Sequence, residues 1–316
     1  MRRGAGKALR FALLLLTYLP LGCGGDSNTT GPEGSSLVTL SLTGLKPLGD
    51  GLNYQAWLIA GTLSEPWGSP LALFDVDQDG RLVDPVADTV LVEPLQGRLD
   101  PADVIGVAVS LETSDTLLSY SSYTFLLGGD LVQGTATLTT EHWIAFDASL
   151  TSSSGRFVLK TPTDADQENE LGGIWFIDTG LEPVGPGLEL PGAPEGWVYE
   201  GWVVVEEVEI STGKFLGPTG ADSANTYSGS LAAPAFPGED FLAGAPSGLV
   251  FPPDLSGALV FVTMEPWMEW DVGPDQPFPL RILEAVIPAD AAPLAPYEML
   301  PLLDQLPSGT VTVQGG

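Results

Sequence analysis

Cysteine and histidine each occur once in 316 residues. A disulfide within the chain is thereby excluded, and so is a zinc site built from several Cys and His ligands. Bases are scarce: 11 Lys and Arg stand against 41 Asp and Glu. Four of the eleven, Arg2, Arg3, Lys7 and Arg10, fall in the first ten residues. The remainder of the chain would repel a phosphate backbone, which argues against nucleic acid as a partner. No Gly-rich phosphate loop opens a helix, and no Gly-x-Ser-x-Gly elbow accompanies His142, read here as a structural or surface residue. No stretch before residue 290 keeps a helical period with caps.

Glycine and proline are plentiful, at 39 and 28 residues, and 44% of the chain is apolar. Apolar runs between turn-forming residues point to an all-β protein with real cores. Strand patterns are read at 37–43, 52–60, 104–112, 123–129, 134–140, 142–150, 155–161, 174–178 and 309–314. The Pro-rich end, 291–316, is expected to hold a short helix near 297–305 before that last strand.

The N-terminus sets the compartment. A basic start precedes the apolar run FALLLLTYLPLG at 11–22, too short to span a bilayer and laid out like a secretory signal. The single cysteine, Cys23, follows at once in LPLGCGG. This arrangement resembles a bacterial lipobox. The resemblance implies diacylglycerol on the Cys23 thiol, cleavage of residues 1–22, and a place in the cell envelope, with Gly24 rather than Asp pointing to the outer membrane. Residues 23–36 then read as a polar, flexible tether.

Beyond the tether the chain repeats itself. The phrase GLxPxGxG occurs at Gly44–Gly51 and Gly180–Gly187, and a Tyr-x-x-Trp strand follows each, at Tyr54/Trp57 and Tyr199/Trp202. Phe74 matches Phe215, VAVSLE (107–112) matches VFVTME (260–265), and FLLGG (125–129) matches RILEA (281–285). The order is kept while the offsets drift from 136 to 156 residues. Two tandem β-sandwich domains, immunoglobulin-like or related, are expected at 37–161 and 174–290, separated by the acidic loop or linker 162–173.

YQAWLI, the DQDGR turn, VAVSLE and FLLGG resemble the extracytoplasmic C-terminal domain of anti-sigma-K factors, and the second copy adds the Glu265-Pro266 pair typical of that domain. The resemblance implies a β-sandwich outside the cytoplasm. It does not carry over sigma-factor sequestration, because only the signal precedes the domains and the His-x3-Cys-x2-Cys site has no counterpart.

Three motifs are candidates for chemistry. DVDQDG places Asp75, Asp77 and Asp79 at the spacing of a calcium loop, but Val86 stands where a bidentate Glu is needed. An Asp-Gly turn is the competing reading, so calcium is kept as possible and no cofactor is assigned. The acids of DADQENE (164–170) suit a solvated loop. In EPWMEWD, Trp267 and Trp270 flank acids and could stack on a sugar or anchor a partner. The function expected is a non-catalytic, lipid-anchored binding, sensor or structural module, held at the membrane and engaging an unidentified envelope protein or glycan. The alternatives are a carbohydrate-binding or carbohydrate-active protein and a calcium-dependent adhesion module.

Overall fold

A computed structural model describes residues 35–48, 51–113, 116–121, 124–267 and 276–316. Cys23, the signal, most of the tether and Trp270 lie outside the described residues. The first strands are β1 (Ser36–Thr43), β2 (Asn53–Thr62), β3 (Glu65–Val76), β4 (Leu82–Asp84), β5 (Thr89–Val90) and β6 (Leu95–Gly97). Next come β7 (Val104–Glu112), β8 (Phe125–Val132), β9 (Thr135–Thr139), β10 (Ser154–Leu159), β11 (Gly173–Trp175), β12 (Ile177–Asp178), β13 (Gly185–Pro186) and β14 (Leu188–Glu189). The last are β15 (Trp197–Val205), β16 (Val208–Phe215), β17 (Gly238–Asp240), β18 (Leu259–Pro266), β19 (Arg281–Val286), β20 (Tyr297–Pro301) and β21 (Ser308–Gly315). Among the described residues the only helical pieces are short 3-10 turns.

The protein is thus all-β, in two large curled sheets. The first has the order β5-β4-β3-β2-β7-β8-β9-β21-β1-β6 and bends until β6 lies against β3. The second runs β16-β15-β18-β19-β20-β10-β11-β17, with β14 also on β10. Burial follows strand periodicity. Val38 and Leu40 of β1 point inward while their neighbours are partly or fully exposed. Strand β2 is covered on both faces: Tyr54, Ala56 and Leu58 enter the main core, while Trp57 and Ile59 pack with Ala108 in a small outer cluster. A strand buried on both sides must be apolar throughout, as YQAWLIA nearly is. The main core continues from one sheet into the other, and the Phe146 and Trp197 rings meet edge-on at 5.0 Å near the junction.

One four-strand unit occurs twice. The orders β3-β2-β7-β8 and β16-β15-β18-β19 correspond strand for strand. Both units carry a bulge at the same two places: Ala56/Trp57 and Gly201/Trp202 in one ladder, Val109/Ser110 and Val262/Thr263 in the other. Tyr54 donates its hydroxyl to the Lys46 carbonyl at 2.9 Å and stacks on Phe74. Tyr199 does the same to Pro191 at 3.0 Å and stacks on Phe215.

These equivalences correct the GLxPxGxG correspondence. The counterpart of Lys46 is Pro191, whereas Gly180–Gly187 includes the β12–β13 hairpin, where Ile177 pairs with Pro186. The matched phrase is two unrelated turns that share turn-forming residues.

The sheets also divide the chain differently from the expected ranges. Strand β10 belongs to the second sheet, and residues 162–173 join it to β11 inside that sheet instead of linking two domains. Strand β21 returns to the first sheet, between β9 and β1. Strand patterning gives the element but not its partner, which is why the assignments to a half shifted.

Three local readings change as well. The 142–150 stretch is a run of turns, with Ala145 and Asp147 donating to the His142 carbonyl. The helix expected at 297–305 is strand β20 followed by a 3-10 turn at Leu303–Gln305. Strand β3 escaped notice because Pro66 and Pro70 interrupt its pattern. Glu65–Phe74 pairs with β2 only and β4 joins at Asp75 and Val76, so both prolines lie where the other edge of β3 is open.

Candidate functional site

Each unit buries the same polar chain. Trp57 Nε1 donates to Ser110 Oγ at 2.8 Å, and Ser110 Oγ donates to Glu112 Oε1 at 2.5 Å. In the second unit Trp202 Nε1 donates to Thr263 Oγ1 at 3.0 Å, and that hydroxyl donates to Glu265. Glu265 also accepts from the Phe278 backbone N–H at 3.0 and 3.2 Å. Burial, with the Glu200 carboxylate nearby, pushes the Glu265 carboxyl up to about 7. These acids are nearly inaccessible: Glu112 is 0% and Glu265 5% exposed. They tie an indole on one strand to a loop or strand end on the other, and neither lines the cavity described below. Trp202→Phe is expected to keep the ring stack on Phe261 and leave Thr263 short of a donor. The stability cost is expected to be about 1–3 kcal/mol in denaturant melts.

A second group of acids lies where the 216–237 loop meets β17. Asp222 Oδ2 accepts from Gly238 N at 2.8 Å and Oδ1 from Ala224 N at 3.1 Å. Glu239 accepts from Ser228 Oγ and from the Tyr227 and Asp240 amides. Asp240 accepts from Thr163 N at 2.7 Å, from Thr163 Oγ1 and from Trp175 Nε1 at 2.6 Å. Burial raises all three carboxyls, Asp222 to about 7. Beside them opens a cavity of about 260 Å³ lined by Trp175, Asp222, Asn225, Ser228 and Phe236 among others. The donors that fill these carboxylates come from the loop, from β17 itself, from Thr163 in the β10–β11 connection and from Trp175 of β11, so they fasten a long connection to a sheet edge. Little in the local residue pattern announces this arrangement. Asp222 and the Glu239-Asp240 pair stand 17 residues apart in Gly- and Pro-rich text, with no spacing that marks them as buried.

The acids singled out from sequence do not converge. Asp75 accepts from Leu48 N at 3.1 and 3.2 Å and from Val76 N at 2.7 Å. Asp77 accepts from the Asp79 and Arg81 amides, each at 2.9 Å, and pairs with the Arg81 guanidinium at 2.7 Å. Asp79 pairs with Arg81 at 3.1 Å and is exposed. DVDQDG is a turn in which Asp77 and Asp79 both pair with the Arg81 that follows it. Among the described residues no group of three His, Cys, Asp or Glu is disposed to hold a metal. In 164–170, Asp164 and Glu170 are engaged by Asn169 Nδ2 and Lys160 Nζ. His142 Nε2 lies 3.2 Å from Asp130. Trp267 stands 58% exposed at the end of β18, its amide bonded to the Gly196 carbonyl at 2.7 Å. Its expected partner Trp270, and Cys23, lie outside the described residues.

Comparison of the chain with protein-family models, with curated proteins and with solved structures returns no match.

Proposed function

We propose that this chain is a lipid-anchored, non-catalytic protein of the bacterial envelope whose paired β-units act as a binding, sensor or structural module. The proposal keeps the similarity to the extracytoplasmic domain of anti-sigma-K factors, without the sigma-binding part. The observation that carries it is the single cysteine, Cys23, placed directly after the apolar run 11–22 and thirteen residues ahead of β1. Ser36, the first residue of β1, pairs with Gly315 of β21, and the Gly316 amide donates to the Ser35 carbonyl at 3.1 Å. A tether from Cys23 would meet the fold at this rim. The buried acids support a non-catalytic role, since each one described above is taken up in fastening the fold.

The test is expression of the full chain in a bacterial host supplied with a labelled fatty acid. Label and protein are expected together in the membrane pellet. Cys23→Ser is expected to lose the label and move to the soluble fraction. A Cys23→Ser chain that stays labelled and pelleted overturns the proposal.

A further inference from the structure

The rim at which the chain begins its first strand carries apolar side chains in the open. Strand directions follow from the registers. Ser36 is level with Gly315 on one side and with Gly97 on the other. Thr312 pairs with Thr135, which pairs with Val132. Across β8 and β7, the Gly106–Asp130 pair sets the ladder that leads to Val104, which pairs with Ala60 of β2. Strand β2 therefore runs toward the rim of Ser36, and the β2–β3 hairpin projects from that rim.

Leu63 sits at the tip of this hairpin, 68% exposed, and Trp67 faces Ala60 with 48% of its surface open. The Trp67 ring lies across Gly61, where a Cβ would come within 3.0 Å of it. Val132, 66% exposed, ends β8 at a similar level. Leu63 is three residues beyond the Ala60–Trp67 pair, so it leads Trp67 by ~10 Å along the strand.

The second unit supplies an internal comparison. There the Val205–Val208 pair corresponds to Ala60–Trp67, and Glu206 and Glu207 close the turn directly. The first unit has two extra pairs, Gly61–Pro66 and Thr62–Glu65, and the apolar tip Leu63. The unit nearest the N-terminus thus has a longer hairpin with an apolar end, and the distant one has a short acidic turn. The junction with the second unit lies at the opposite end of β8, where Trp197 Nε1 donates to the Phe125 carbonyl at 3.2 Å.

We propose that the β2–β3 hairpin rests in the bilayer that holds the lipid anchor, with Leu63 entering the acyl boundary and Trp67 at the headgroup level. This rests on acylation of Cys23. Cys23 lies thirteen residues ahead of Ser36, a separation that cannot exceed about 45 Å of extended chain. That keeps the rim close to the membrane and makes even a weak insertion effective. A Trp with a Leu ahead of it matches the layering of a bilayer interface. The acids near the rim, Glu65, Asp100, Asp103 and Asp130, outnumber Arg98. The contact is accordingly apolar and suits neutral lipid better than anionic lipid.

The experiment uses the processed full chain, purified from membranes and placed in phosphatidylcholine vesicles with brominated acyl chains. Bromine quenches indole emission at contact. Quenching relative to unbrominated vesicles is expected, reduced at least twofold by Trp67→Phe and by Leu63→Ser, and unchanged by Trp267→Phe. Circular dichroism confirms that each variant is folded. Quenching that survives Trp67→Phe, or that disappears with Trp267→Phe, overturns the proposal. Intact mass of the same sample reports acylation separately. An unacylated chain removes the anchor and this inference with it, whereas an acylated chain with no Trp67 quenching removes this inference alone.

Discussion

Deletion of residues 308–316 is expected to abolish cooperative folding of the first sheet. The deleted strand is not a tail. Strand β21 pairs with β1 over eight positions, from Ser36–Gly315 to Thr43–Ser308, and with β9 over five, from Thr135–Thr312 to Thr139–Ser308. Its loss strips hydrogen-bond partners from both neighbours and leaves β1 and β6 with no strand ladder to the rest of the sheet, only the packing of β6 against β3. Val311 and Val313, 0% and 3% exposed, go with it, and each buried valine contributes about 1.5–3 kcal/mol. The two unpaired edges then become templates for aggregation. Amide exchange is the measurement. Protection of β1, β9 and β6 is expected to fall to the unfolded level, and addition of the missing segment as a peptide should restore part of it by strand addition. A truncated chain that melts within a few degrees of the intact one would falsify the placement of β21.

Stability is expected to fall as pH rises from about 5 to 8, and Glu265→Gln should remove much of that fall. Glu265 moves from 4.5 to about 7 on folding, chiefly because burial penalises its charged form, with Glu200 adding to the effect. A raised carboxyl binds its proton more tightly in the folded state. Its contribution is therefore complete below the unfolded value and disappears as pH climbs through about 7. At ~1.4 kcal/mol per unit the loss is on the order of 3 kcal/mol. Asp222, also raised to about 7 by burial, acts in the same direction and window. Opposing groups work at lower pH. The Arg156 guanidinium holds the Asp178 carboxyl down, and the Ala87 and Val86 amides hold Asp84 down. Their stabilisation is present above the unfolded values near 4 and is lost as pH falls below that range. The optimum should lie at mildly acidic pH. Denaturant melts at pH 5 and pH 8 test this. The difference should shrink in Glu265→Gln, and a protein more stable at pH 8 than at pH 5 would contradict the assignment.

Much of the fold could be read in advance, for reasons visible at single residues. YQAWLI and VAVSLE announce strands because β-branched and aromatic side chains suit a pleated, buried surface. The pairings Trp57 with Trp202 and Glu112 with Glu265 were legible because both members sit in strands, where an insertion would shift every later side chain to the other face. The GLxPxGxG phrase misled because turn residues recur wherever a chain reverses. HWIAFDASL misled because short apolar runs serve turns as well as strands.

The candidate sites were harder to read. Asp75, Asp77 and Asp79 have the spacing of a metal loop, but spacing does not say where side chains point. Arg81, four residues after Asp77, pairs with it across the turn, a contact that spacing alone does not announce. Asp222, Glu239 and Asp240 looked like ordinary surface acids, since burial depends on what the 216–237 loop folds against. The exposed Trp67 lies in a strand interrupted by prolines, and Leu63 in the turn that leads into it.

The sequence by itself determined that this is an all-β chain with an excess of acids, a recurring strand pattern and no disulfide within the chain. Those properties are local or compositional, fixed by alternation along a few residues or by simple counts. Only the tertiary structure decided that β21 closes the first sheet and that β10 opens the second. It alone turned acids into clasps and put the apolar hairpin at the rim of the N-terminus. Each of those depends on pairing between residues more than a hundred positions apart or on burial by a distant segment, and neither leaves a mark on the residues next door.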